Sequence, residues 1–185
     1  MAGNGMKLKF VLVTVLVLVL DHLTKYWVGS RMALGQSLEV IPDWLRISYV
    51  LNYGVAFGLF SDPHSVWKPY FLGAMAVAAV LVIVLYSLRV PPGRVFLRTS
   101  LAVVTGGILG NFADRMMHGF VIDFIEVHIR NRFFWPTFNV ADSAITVGIA
   151  MLLIDTLRHP DHEAAPAAAP GEAAPPGREP LGNGE

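Results

Sequence analysis

Tyr70–Leu88 reads YFLGAMAVAAVLVIVLYSL. The run contains no charged residue and is close to the length of about 20 mostly apolar residues that a helix needs to cross a bilayer. It therefore predicts a membrane-spanning helix. Three more runs of this kind lie outward from it, at about residues 10–28, 99–115 and 138–156, each broken by only a few polar residues. The whole chain of 185 residues is 54% hydrophobic, and its length fits one domain. The expected fold is an all-α membrane protein. Four transmembrane helices carry a small extracytoplasmic region of loops that contains β-structure.

The first run has a competing reading as a cleaved signal peptide, because Lys7 and Lys9 precede Phe10–Leu20. It leads into Asp21, His22 and Lys25 with no convincing small-residue cleavage site, so a retained helix is expected. Residues 29–69 and 116–137 are then two long loops on the same side of the membrane. In the first loop Leu45, Ile47, Tyr49 and Leu51 alternate with Arg46, Ser48 and Asn52, the period of a half-buried strand. Phe120–His128 is a second candidate for extended chain. Residues 1–159 are expected to form the transmembrane domain. Residues 160–185, made largely of Ala, Pro, Gly and Glu, are expected to be a disordered cytoplasmic tail. Met1–Gly5 receive no role. Lysines and arginines divide evenly between the two sides. Arg89, Arg94 and Arg98 fall in one short connection next to two spans, which favours both termini inside.

Charged side chains in membrane spans cost at least about 2.5–3.5 kcal/mol each, so their positions are informative. Asp21 and Lys25 lie in the outer part of the first span. Asn111, Asp114 and Arg115 end the third, and Asn139 and Asp142 begin the fourth. Asn52 and Asp123 lie in the two long loops. With four spans, all of these share one side of the membrane, and Asp155 alone lies at the opposite end. One polar site at one interface is the economical reading. Simpler readings stand beside it. Asp21 and Lys25, four residues apart, make an ordinary helix-face pair, and Asp114–Arg115 an ordinary helix-end pair. Gly106, Gly107 and Gly110 permit close helix packing. Asp155 and Arg158 read as solvated residues, and Trp27, Trp44, Trp67, Tyr70 and Trp135 as an interfacial aromatic belt.

Several chemistries are excluded. The chain has no cysteine, which removes disulfides, thiolate metal sites and a cysteine nucleophile. The six histidines show no metal-ligand spacing, and no His-Glu-x-x-His or Gly-x-Ser-x-Gly segment is present. Formal net charge is zero, which offers nothing to nucleic acid. Carboxylates remain. Two of them close together share a proton, so one can act as base toward water while the other donates to a carbonyl oxygen. That chemistry needs no metal and no cofactor.

Five segments, in order, resemble the lipoprotein signal peptidase family. They are Asp21-His22-Leu23-Thr24-Lys25, Asn52-Tyr53-Gly54-Val55-Ala56-Phe57-Gly58, Gly106–Arg115, Val121-Ile122-Asp123-Phe124, and Phe138-Asn139-Val140-Ala141-Asp142-Ser143. His22 stands where glutamine is common. The resemblance implies that Asp123 and Asp142 are the catalytic pair. Asn52, Gly54, Asn111, Arg115 and Asn139 would contact substrate or orient the pair, and Asp21, Lys25 and Asp114 would support the site. The implied substrate is a prolipoprotein carrying diacylglyceryl on its lipobox cysteine, cut just before that cysteine at the outer face of the bacterial inner membrane. The implied partners are this lipidated substrate and membrane lipids, with the enzyme acting as a monomer. The competing class is a small proton- or ion-coupled transporter subunit, in which the buried Asp, Arg and Asn would line an ion path. No inverted repeat is visible, and the polar groups sit at one end of the spans, both of which weigh against it.

Overall fold

A computed structural model describes residues 2–54, 66–130 and 132–159. Val55–Gly58 of the second family segment and the tail from residue 160 lie outside the described residues. The elements are α1 (Ala2–Arg31), β1 (Ser37–Ile41), β2 (Leu45–Asn52), α2 (Lys68–Arg89), α3 (Val95–His118), β3 (Val121–Ile129), β4 (Phe133–Phe134) and α4 (Val140–Arg158). Among the described residues α2, α3 and α4 are long and apolar enough to cross a membrane. The expected spans at 10–28, 70–88 and 99–115 sit inside α1, α2 and α3, while the fourth, expected from 138, begins as a helix only at Val140 because Asn139 is its extended cap.

The β-structure is larger than a few extended residues in loops. The strands make one antiparallel sheet in the order β1-β2-β3-β4. The alternating segment of the first loop is β2, and the candidate in the second loop is β3. Their pairing, with Val50 opposite Asp123 and Asn52 opposite Val121, brings the two long loops together. Edge strand β1 escaped sequence reading because all five of its residues are exposed, so no face imposes alternation. In β2 the buried residue is Ser48, not one of the apolar ones. Its hydroxyl donates to Glu126 Oε2 at 2.8 Å. His128 also packs into this sheet. It is fully buried, its ring stacked on Phe134 with centroids 5.8 Å apart.

Helix α3 is the hub and packs against α1, α2 and α4. Its small residues make that possible. A methyl group at Gly110 would lie 2.7 Å from the Asp21 carboxylate, and one at Gly107 would strike the Ala141 carbonyl oxygen. α3 stops at Gly119, whose φ of 80° takes the left-handed conformation that glycine adopts without strain. Val28, Met32 and Phe124 pack α1 against the sheet at one end. Val90, Leu97 and Leu101 close the bundle at the other. Elsewhere apolar surface faces outward, as at Val77, Leu81, Val82 and Leu85 of α2, an arrangement suited to lipid and not to water. The five tryptophan and tyrosine residues assigned to an aromatic belt are all at least half exposed. Asp155 departs from expectation. It is 3% exposed and paired with Arg94, because the end of α4 packs beside the start of α3.

Candidate active site

The start of α4 organises the site. Asn139 is extended, with φ −130° and ψ −173°, and caps the helix. Its Oδ1 accepts from the Asp142 backbone N–H at 2.9 Å, while Asp142 Oδ2 accepts from the Asn139 N–H at 3.3 Å. This reciprocal box satisfies two N–H groups that a helix start leaves unpaired. It also points a carboxylate into the first turn, where the helix dipole favours negative charge. The chain entering α4 is stitched to β3. The Phe138 carbonyl accepts from the N–H groups of Phe124 and Ile125, and Phe138 N–H donates to Ile125. Asp123, the residue before Phe124, is thereby set beside the helix entrance.

Three asparagines join the two aspartates. Asn139 Nδ2 donates to Asp123 Oδ1 at 2.7 Å, and Asn52 Nδ2 donates to Asp123 Oδ2 at 2.8 Å. Asn111 Nδ2 donates to Asp142 Oδ1 at 2.7 Å, while its Oδ1 accepts from Asn139 Nδ2 at 3.2 Å. Lys25 fixes this arrangement from behind. Its ammonium donates to Asn111 Oδ1 at 3.1 Å and to Asp21 Oδ2 at 2.6 Å, and lies 2.7 Å from Asp114 Oδ2. With Asn111 Oδ1 held by a cation, its NH2 group is left to face Asp142. Asp21 Oδ1 in turn accepts from the Ala141 N–H at 2.8 Å, which ties α1 to the first turn of α4. The helix-face pair of Asp21 and Lys25 therefore exists, but as part of a link across three helices. The simple Asp114–Arg115 pair gives way to a different pattern. Asp114 turns to Lys25, while Arg115 donates to the Gly54 carbonyl at 3.0 Å and the Asn111 carbonyl at 3.2 Å.

Asn52, Asn111, Arg115, Asp123 and Asp142 line one cavity of about 690 Å³. Its other walls include Leu72 and Ala76 of α2, Ile108 and Phe112 of α3, and Trp135 and Phe138 on the chain that leads into α4. Asp21, Lys25, Asp114 and Asn139 stand behind the cavity wall, and Gly54 joins through its carbonyl. Sequence reading missed the apolar half of this cavity. Trp135 was assigned to the aromatic belt, and nothing local distinguishes a wall residue such as Phe112 from one that faces lipid. Asp123 is 2% exposed. Burial first, and the nearby Asp142 charge second, push its carboxyl up to about 7, against the lowering effect of Asn52, Asn139 and Lys25. Two carboxyl groups on one cavity, one of them titrating near neutrality, can take a proton from water and give one to a carbonyl. Among the described residues no group of three or more His, Cys, Asp or Glu side chains could hold a metal ion.

Residues 13–158 match the family model for signal peptidase (SPase) II. The chain is 41% identical over 152 residues to a lipoprotein signal peptidase of Pseudomonas aeruginosa, covering 82% of this chain and 89% of that one. The chain belongs to the lipoprotein signal peptidase family. A second member, from Alteromonas mediterranea, is 38% identical over 166 residues, with 90% of each chain covered. A solved bacterial membrane enzyme, determined by the in meso method at 2.3 Å resolution, superposes with a TM-score of 0.74 at 30% identity, covering 87% of this chain and 94% of that one. As a member of the lipoprotein signal peptidase family, the chain is a bacterial membrane protein with several spans. It is a signal peptidase II, an aspartic peptidase that cleaves the signal peptides of prolipoproteins.

Proposed function

We propose that Asp123 and Asp142 are the aspartates that carry out this cleavage. The observation that carries the reading is their shared setting: both carboxyls line the same cavity and both are held by Asn139. Asp123, raised to about 7, holds a proton and donates it to the scissile carbonyl oxygen. Asp142 takes a proton from the water that attacks the carbonyl carbon. When the gem-diol intermediate collapses, the proton taken up by Asp142 passes to the leaving amine, and one gem-diol hydroxyl returns its proton to Asp123. Asn52, Asn111 and Asn139 orient the pair, and Arg115 holds Gly54 at the cavity and presents its remaining donors to substrate carbonyls. Asp21, Lys25 and Asp114 support this arrangement from behind.

The substrate proposed is a prolipoprotein with diacylglyceryl on its lipobox cysteine, cut just before that residue. The cavity's apolar wall on α2 and α3 suits acyl chains arriving sideways from lipid, while its polar wall suits a peptide backbone. α1, with the apolar run Phe10–Leu20, is the fourth span. Both termini face the cytoplasm, so the cavity opens at the outer face of the inner membrane, and residues 160–185 form a cytoplasmic tail. One chain supplies every group of the site, which supports action as a monomer. The test is cleavage of a lipidated prolipoprotein by purified Asp123→Asn and Asp142→Asn, with thermal unfolding measured in parallel. Each variant should stay folded and lose nearly all turnover. The double variant should be little worse than either, because groups acting as one unit are not additive. Substantial turnover in either folded variant would overturn the assignment.

A further inference from the structure

The end of the bundle away from the cavity carries a group of cations that the peptidase reaction does not use. α2 gives way to α3 there, and Lys7, Lys9, Arg89, Arg94, Arg98 and Arg158 belong to this end. Asp155 pairs with Arg94 and lies 3.7 Å from His159 Nδ1, and Arg158 lies over the Phe96 ring at 5.7 Å. Arg98 donates through one guanidinium nitrogen to the Val90 carbonyl, and among the described residues its buried Nε has no hydrogen-bond partner. Arg98 and Lys9 line a cleft between α1 and α3, together with Phe10, Val95 and Thr99. Among the described residues, two cations and no acid line this cleft. α3 begins at its edge without a side-chain cap and without an acidic residue in its first turn, so the positive end of the helix dipole adds to the same field.

An excess of positive charge at a membrane interface, beside an apolar floor, is complementary to one kind of molecule. We propose that the cleft formed by Lys9, Arg98, Phe10, Val95 and Thr99 binds the phosphate of an anionic phospholipid. The guanidinium of Arg98 and the Lys9 ammonium contact the phosphate, and the acyl chains lie along the apolar flanks of α1 and α3. Basic residues next to an anionic leaflet contribute about 1 kcal/mol each, which corresponds to about fivefold in affinity per residue. The bound lipid would brace the junction of α1, α3 and the α2–α3 connection. This inference rests on the membrane-spanning arrangement proposed above and not on the aspartate pair.

The experiment is lipid retention by native mass spectrometry, together with thermal unfolding, on the full chain in detergent. Dioleoylphosphatidylglycerol is the probe, with dioleoylphosphatidylcholine, inorganic phosphate and glycerol 3-phosphate as comparisons. Wild type should retain phosphatidylglycerol and unfold at a higher temperature with it, and neither effect should appear with phosphatidylcholine. Lys9→Gln should weaken retention about fivefold, and adding Arg98→Gln should weaken it about 25-fold in all. Lys9 is exposed on α1, so its single variant keeps the test valid if loss of the Arg98–Val90 bond disturbs folding. Arg130→Gln, at the other end of the molecule, should leave retention unchanged. Equal retention by wild type and Lys9→Gln would overturn the proposal. So would stabilisation by the two soluble phosphates at equal concentration, which would assign the cleft to a free anion. Retention that appears only after truncation at His159 would assign it to the acidic tail. Cleavage measured in the same samples reports on the aspartate pair separately.

Discussion

Lys25→Met removes the ammonium that faces Asp21, Asp114 and Asn111 together. The side chains of Lys25, Asp21 and Asp114 are 3%, 0% and 6% exposed, so water cannot replace the lost charge. Breaking a buried pair by removing one partner costs about 3–5 kcal/mol, because an uncompensated charge stays buried. Here two carboxylates are left facing each other, which puts the expected loss at the upper end. For a chain of this size that is a fall in midpoint of roughly 10–20 °C. The catalytic effect is separate. Without the ammonium, Asn111 Oδ1 keeps only the longer 3.2 Å bond from Asn139 Nδ2, so the amide is held less firmly and the 2.7 Å bond that orients Asp142 is weakened. Misplacement of a reacting group by about 1 Å can cost 100-fold in rate, so cleavage should fall by one to two orders of magnitude even where the variant is folded. Thermal unfolding in detergent and cleavage of a lipidated substrate at a temperature well below the midpoint separate the two effects. A triple variant sharpens the test: Lys25→Met combined with Asp21→Asn and Asp114→Asn removes every charge of the cluster. It should recover most of the stability but little of the activity. A Lys25→Met variant as stable as wild type, or a triple variant no more stable than the single, would refute the account.

Arg115→Lys keeps the charge but replaces a planar fork with a point donor. It should lose one of the bonds to the Gly54 and Asn111 carbonyls and raise KM roughly tenfold, as expected for a lost charged hydrogen bond, with little change in unfolding temperature; unchanged kinetics would return Arg115 to a helix-end role. The carboxyl of Asp123 titrates near 7 when folded and near 4 when unfolded. Its contribution to stability is therefore fully present below about pH 4 and is lost as pH rises through about 7. Asp123→Asn has no such loss, so its unfolding midpoint relative to wild type should be higher at pH 8 than at pH 5, and a pH-independent difference would contradict the raised value. Truncation after His159 removes a polar, Pro- and Ala-rich segment and should leave cleavage near wild type; a large loss in a well-expressed truncation would count against a dispensable tail.

Much of the architecture was legible in the sequence, because crossing a bilayer imposes a local rule. Each span must be a long apolar run, and Tyr70–Leu88 satisfies that rule without reference to any other residue. The same rule makes Asp21, Lys25, Asn111, Asp114, Arg115, Asn139 and Asp142 conspicuous, and the expected alternation of four spans groups them at one end of the bundle. The order of five motifs identified the family. What the tertiary structure decided is partnership, which depends on residues distant in the chain. β2 and β3 pair across some 70 positions, and only that pairing brings Asn52 to Asp123. The Asn139–Asp142 spacing is a capping box only because the chain is extended at Asn139 where β3 docks. Lys25 could have been half of a simple helix-face pair. It becomes the support for Asn111 because Gly110 lets α3 approach α1 to within contact of Asp21. Arg94 and Asp155, far apart in sequence and unremarked by any motif, meet because α3 and α4 pack side by side. Hydropathy is a property of a segment and can be read from it. A buried polar group is stable only with its partner, and the partner is chosen by the packing of the whole bundle.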